Sequence, residues 1–155
     1  MLSIQYSQIT SHLWVGSYPQ TPEDVLHLKT IGVTAVLNLQ TDDDLDFRGV
    51  KWDLFWKFYL RNGVEAVRYP IRDFDPDALD SHLDGAVAAL HGLMSAGRGV
   101  YLHCTAGVNR SPTVAIAWLH SHQGMTLDEA TEHVKSRRSC FPYPEVLERW
   151  AASRR

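Results

Sequence analysis

His103-Cys104-Thr105-Ala106-Gly107-Val108-Asn109-Arg110-Ser111 lies between a short apolar run, Val100-Tyr101-Leu102, and a longer one, Val114 to Leu119. The first run reads as a strand and the second as the heart of a buried helix, from about Arg110 to Gln123. A loop that closes onto a helix N-terminus aims several backbone N–H groups at one point, and the helix dipole adds positive potential there. Such a nest suits a tetrahedral dianion. The backbone of Thr105, Ala106, Gly107, Val108 and Asn109 would cradle it, and Arg110 would clamp two of its oxygens. Gly107 permits the positive φ that so tight a loop needs. Cys104 stands at the centre of that field, where a thiolate is favoured. A thiolate in line with a phosphoryl group is a nucleophile, and the expected product is a phosphocysteine. His-Cys-x-x-Gly-x-x-Arg arises by chance in roughly one of a thousand chains of this length.

A leaving alkoxide needs a proton, so the site needs a general acid. The turn after the strand Val64 to Ile71 offers Asp73, Asp75 and Asp77. If that strand neighbours Val100-Tyr101-Leu102 in a parallel sheet, the two carboxyl ends meet at one edge, where ligands bind in open α/β sheets. Asp73 comes first and is preferred, with Asp75 the alternative. Ser111 is placed to hydrogen-bond the Cys104 sulfur and ease breakdown of the intermediate, or it is simply a helix-start serine.

Outward from the loop, strand-like and helix-like segments alternate. The expected fold is α/β, a central mixed, mostly parallel sheet of four or five strands flanked by helices, in a single domain over 1–155. Ile9 to Val15 reads as an edge strand or hairpin and Val33 to Leu39 as a buried strand. Thr21-Pro22-Glu23-Asp24 opens a helix to about Ile31. Asp42 to Gly49 reads as a loop. Asp53 to Leu60 reads as a helix whose Trp52, Phe55, Trp56 and Tyr59 form a core stripe. Leu79 to Met94 is a long amphipathic helix, Thr126-x-x-Glu129 a capping box, and Tyr143-Pro144-Glu145 the start of the last helix. Lys135-Ser136-Arg137-Arg138 reads as a solvated helix end, or else a secondary contact to an anionic substrate.

The 155 residues suit one domain with a core of its own, since a chain of this size buries about 68–70% of its unfolded surface. A net charge of -3 argues against a nucleic-acid or anionic-membrane binder. Two cysteines, Cys104 and Cys140, make no disulfide framework, so a reducing, cytoplasmic setting is expected. No apolar run approaches membrane-spanning length, and the first residues resemble neither a signal nor a transit peptide. His120-x-His122 lacks the further ligands of a zinc site. Neither metal nor cofactor is expected, and the chain is expected to be a monomer.

His103 to Ser111 resembles the signature of the cysteine-dependent dual-specificity phosphatases, within the protein tyrosine phosphatase superfamily. An acid loop about thirty residues before the cysteine fits the same pattern, and the resemblance spans essentially the whole chain. Within that family the chain is most similar to the plant starch-excess type glucan phosphatases and, more distantly, to laforin. The stretches that carry this likeness include Gln20 to Val25, Asp44-Leu45-Asp46-Phe47, Ile71-Arg72-Asp73-Phe74-Asp75 and Arg138-Ser139-Cys140-Phe141-Pro142. The resemblance implies Cys104 as nucleophile, Arg110 as phosphate ligand, Asp73 as general acid, and His103 orienting the loop. It also implies glucan contacts at Phe47, Phe74 and Phe141. Flat aromatic faces suit the apolar C–H faces of sugar rings, although a loop phenylalanine can equally anchor inward. The chain departs from the glucan phosphatases at Asn109, where they have glycine, and at Ser111, where the plant enzymes often have alanine. Asn38 stands where some members carry a redox partner cysteine, and Cys140 is not expected to pair with Cys104. No carbohydrate-binding domain fits in these 155 residues, so any glucan is expected to be gripped by the catalytic domain alone. The expected substrate is a phosphorylated α-glucan; a phosphoprotein carrying phosphotyrosine and phosphoserine/threonine, or a phospholipid, is the alternative, as is a catalytically silent binding module.

Overall fold

Hydrophobic alternation in the short strands sets the layers. In Leu13–Gly16, Ala35–Asn38 and Val100–His103 every residue is buried, and odd and even positions face different cores. Leu13, Val15, Ala35, Leu37, Val100 and Leu102 join one cluster, while Trp14, Val36 and Tyr101 join the other. A strand buried on both faces belongs inside a three-layer α/β sandwich. The computed structural model describes residues 1–154. Its elements run β1 (Tyr6–Thr10), β2 (Leu13–Gly16), α1 (Pro22–Thr30), β3 (Ala35–Asn38), α2 (Asp42–Phe47), α3 (Trp52–Arg61) and β4 (Glu65–Arg68). They continue with α4 (Pro76–Ser95), β5 (Val100–His103), α5 (Arg110–His122), α6 (Leu127–Arg137) and α7 (Pro144–Ser153).

The five strands are ordered β1-β2-β5-β3-β4. β1 pairs antiparallel with β2, and the other pairings are parallel, giving the mixed, mostly parallel sheet that the sequence predicts. The strand bearing the acid turn, β4, is not a neighbour of β5; β3 lies between them. All three are parallel, so their carboxyl ends still share one edge. Backbone bonds carry the chain after β4 across the end of β3: Tyr69 N to the Asn38 carbonyl (2.9 Å), Ile71 N to the Leu39 carbonyl (2.9 Å), and Leu39 N to the His103 carbonyl (2.9 Å).

The larger core holds β-strand residues against α4, α5, α6 and α7, with Leu83, Leu90, Ile116, Val134 and Trp150 among its members. Truncating Leu37 or Leu102, both fully buried there, to alanine costs about 2–5 kcal/mol. Helix α5 is buried continuously from Arg110 to Leu119, which explains its apolar character on all sides.

Two local expectations are corrected. Asp42 to Gly49 is not all loop: Asp42–Phe47 is helix α2, started by a capping box in which Thr41 and Asp44 satisfy each other's backbone N–H groups. The α3 stripe is narrower than predicted. Tyr59 is buried, and Trp52 and Phe55 pack partly against the smaller core, but Trp56 is 43% exposed. At about 100° per residue, Trp56 is rotated off the face centred on Trp52, Phe55 and Tyr59.

Candidate active site

The loop between β5 and α5 is held by its carbonyls. Thr105 O accepts from Tyr18 N (3.0 Å), Val108 O from Phe141 N (2.7 Å), and Asn109 O from Thr113 N (3.1 Å) and Thr113 Oγ1 (2.8 Å). Ala106 O and Gly107 O accept from Arg138 Nη2 (3.2 Å) and Nε (2.6 Å). Cys104 O accepts from His103 Nδ1 (2.9 Å). Six consecutive carbonyls are thus bonded to protein. In a trans peptide the N–H points opposite to the C=O, so the N–H groups of these peptides point away from the partners that hold the carbonyls. Gly107 has φ +71, and a Cβ there would run into the backbone of Gly16 and the Arg138 guanidinium. The position therefore requires glycine on both conformational and steric grounds.

Arg110 is 1% exposed and is the largest fully buried side chain. Its Nη1 donates to Asp44 Oδ2 (2.7 Å) and to the Ile71 carbonyl (2.7 Å); its Nη2 reaches Thr105 Oγ1 (3.3 Å) and Asp73 Oδ2 (3.3 Å). Nε is buried with no hydrogen-bond partner among the described residues. Nη1 is held by two contacts of 2.7 Å, whereas Nη2 has only the longer contacts of 3.3 Å, so the Nε/Nη2 edge is the less tightly held one and the one suited to grip a dianion bidentately. Burial works to raise the Asp44 carboxyl, but hydrogen bonds from Arg110 and Thr41 and the arginine's charge outweigh it and hold that carboxyl below its ordinary value. Asp44 is therefore ionised beside the arginine that it anchors.

Cys104 is buried, and its Sγ lies 3.3 Å from Ser111 Oγ, also buried. Only a donor can face the Cys104 carbonyl, so His103 carries its proton on Nδ1. Burial drives the pKa of His103 down to about 4, and the ring is neutral at pH 7. Among the three candidate acids, Asp73 alone reaches Arg110. Asp75 is the N-cap of α4, its Oδ1 accepting from Ala78 N (3.0 Å), and Asp77 sits in that helix's first turn. Asp73 also accepts from Phe74 N (3.0 Å).

Phe47, Phe74 and Phe141 are 83%, 87% and 74% exposed, so none anchors inward. A cleft of about 340 Å³ brings Phe47 and Phe74 together with Thr41, Arg72, Asp73 and Thr105. Phe74 has φ 56, strained for a residue other than glycine. Phe141 stands beside the loop: its N bonds the Val108 carbonyl, and its carbonyl accepts from Asn109 Nδ2 (2.9 Å). The amide at position 109 thus ties the aromatic segment to the loop.

Sequence reasoning missed four supports. Asp44 was hidden in an acidic run, although Thr41-x-x-Asp44 is a capping-box signal. Buried Gln40 donates to Thr105 Oγ1 (3.0 Å). Tyr18 and Arg138 act through backbone carbonyls, which leave no sequence trace. Arg138 is not part of a solvated helix end: it turns back onto the loop, while Lys135 and Arg137 stay exposed. Cys104 and Cys140 are both free thiols.

Known proteins share this architecture. The chain is 39% identical over 153 residues to the amyloplastic phosphoglucan phosphatase DSP4 of Castanea sativa, covering 97% of this chain and 41% of that protein. It is 33% identical over 147 residues to laforin of Mus musculus, covering 88% and 44%. The chain therefore spans about two fifths of the length of these relatives. The crystal structure of human DUSP28 matches with a TM-score of 0.72 at 26% identity, over 96% of this chain and 93% of that one. Among the described residues no helix is long and apolar enough to cross a membrane. The pattern of the dual specificity phosphatase catalytic domain matches residues 13–147, from β2 through the loop into α7, and the chain belongs to that family.

Proposed function

We propose that this domain is a phosphomonoesterase that works through a phosphocysteine and takes phosphorylated α-glucan as its substrate. The chemistry follows from the loop. The N–H groups of Thr105 to Arg110 and the Nε/Nη2 edge of Arg110 bind the phosphate dianion over the Cys104 sulfur. The thiolate attacks phosphorus, the P–O bond to the sugar breaks, and Asp73 gives its proton to the leaving oxygen. Water then attacks the phosphocysteine and passes a proton back to Asp73. Ser111 hydrogen-bonds the departing sulfur, and His103, neutral and fixed by its own backbone, orients the loop without exchanging protons.

The observation that carries the substrate assignment is the exposure of Phe47, Phe74 and Phe141 around one phosphate site. Exposed phenylalanines gathered near one phosphate site offer flat apolar platforms for sugar faces. The similarity to a phosphoglucan phosphatase of Castanea sativa supports the same reading. The domain acts as a monomer, away from any membrane and in a reducing compartment that keeps Cys104 a thiol; the cytoplasm is one such place. The test is phosphate release from solubilised phosphorylated starch, a phosphotyrosine peptide and a small aryl phosphate. Release from starch should fall in Phe47→Ala and Phe141→Ala while aryl phosphate turnover persists. Release from the peptide but not from starch would replace this reading with a protein phosphatase.

A further inference from the structure

Arg138 lies thirty-four residues beyond the nucleophile at the C-cap of α6, in an extended conformation that ends the helix. Its guanidinium contacts neutral oxygens: Gly107 O (2.6 Å), Ala106 O (3.2 Å) and Ser7 Oγ (3.4 Å). Those two carbonyls belong to the peptide planes on either side of Gly107, and the N–H groups of the same planes are those of Gly107 and Val108. The other loop carbonyls are held by backbone, by helix α5 or within the loop itself. Among the described residues, these two planes alone depend on a distant side chain. They also flank the one loop residue that lacks a Cβ, where peptide rotation meets least resistance. A rotation there would turn a carbonyl oxygen into the site, replacing a donor to the dianion with a repelling dipole.

We infer that Arg138 is a positioning residue for anion binding: it locks the two peptide planes beside Gly107 with their N–H groups on the phosphate. The inference rests on the phosphatase reading of the loop. Arg138 touches no substrate in this account. It sets the fraction of time that the loop spends in its binding conformation, and apparent affinity scales with that fraction.

The test uses the full chain as wild type, Arg138→Met and Arg138→Lys. Inorganic tungstate serves as a phosphate mimic in calorimetry, and a small aryl phosphate is the substrate. A loop that is competent about a tenth of the time binds roughly tenfold more weakly. Arg138→Met should therefore weaken tungstate binding and raise KM by about that factor, with kcat little changed, because saturating substrate recaptures the loop. Arg138→Lys, which still donates to one carbonyl, should fall between. A merely structural role would lower kcat through loss of folded enzyme and leave KM in place, and that result would overturn the inference. So would tungstate affinity and KM equal to wild type in Arg138→Met. If that variant does not fold, an unaltered KM in Arg138→Lys would overturn the inference equally. Failure of wild type itself to bind tungstate would overturn the phosphatase reading, and the inference with it.

Discussion

Replacing Asp44 with asparagine keeps the size of the side chain and an acceptor for the Thr41 cap, and removes one charge. The structure sets what that charge is worth. Arg110 is 1% exposed and Asp44 is 20% exposed, and they meet at 2.7 Å. Breaking a fully buried pair costs about 3–5 kcal/mol. Here Asp44 keeps some solvent, and Arg110 keeps the Ile71 carbonyl and Asp73. The loss should therefore approach that of a single charge-assisted hydrogen bond, about 2 kcal/mol. Urea unfolding at pH 7 of wild type, Asp44→Asn, Arg110→Met and the double variant isolates the pair. Asp44→Asn should cost about 2 kcal/mol in wild type and nearly nothing once Arg110 is methionine, where the lone carboxylate has lost its partner. Because the carboxyl is held below its ordinary value, this contribution is present above the unfolded value near pH 4 and is lost as the pH falls further. A coupling below about 0.5 kcal/mol would refute the view that Asp44 anchors the arginine.

Three further predictions follow from the same geometry. His103 is buried with its pKa at about 4 against about 6.5 unfolded; the unfolded chain binds the extra proton between those values, so stability is full above pH 6.5 and falls by about 3 kcal/mol as the pH drops to 4. His103→Asn should flatten a urea-midpoint profile over that window; an unchanged profile would contradict a neutral, buried ring. Phe74→Gly relieves a left-handed residue that costs about 1–2 kcal/mol and adds about 0.5–1 kcal/mol of glycine entropy, so thermal unfolding should show a small gain in stability while starch dephosphorylation falls. Gly107→Ala should lower stability by at least about 1 kcal/mol and abolish tungstate binding in calorimetry, since both the left-handed φ and the approach of Gly16 are violated.

The loop itself was legible because its chemistry is local. A cysteine, a glycine and an arginine at fixed spacing between a strand and a buried helix mark the family and the place of the loop in sequence order. Strand alternation made the layers legible in the same way. Strand order was not, because the insertion of β3 between β5 and β4 is decided by packing of distant segments. The crossing of Ile71 over Leu39, which brings Asp73 to Arg110, was therefore reached only as a condition on adjacent strands that the fold does not meet. Helix α2 was missed because three consecutive aspartates outweighed a capping box that the letters did contain. Arg138 illustrates the harder limit: a side chain that works on backbone carbonyls has no partner residue for a pattern to pair it with. Trp56 shows how a four-residue spacing that looks like one face can still fall off its edge.

Catalysis through a phosphocysteine requires a covalent phosphoryl group on Cys104. Acid-quenching the enzyme during turnover of an aryl phosphate and mapping the modified peptide by mass spectrometry tests it directly. Wild type should carry one phosphoryl group on the peptide containing Cys104, Ser111→Ala should accumulate more of it as breakdown slows, and Cys104→Ser should show neither adduct nor turnover. Phosphate release that survives in Cys104→Ser, or a phosphoryl group found on another residue, would contradict it.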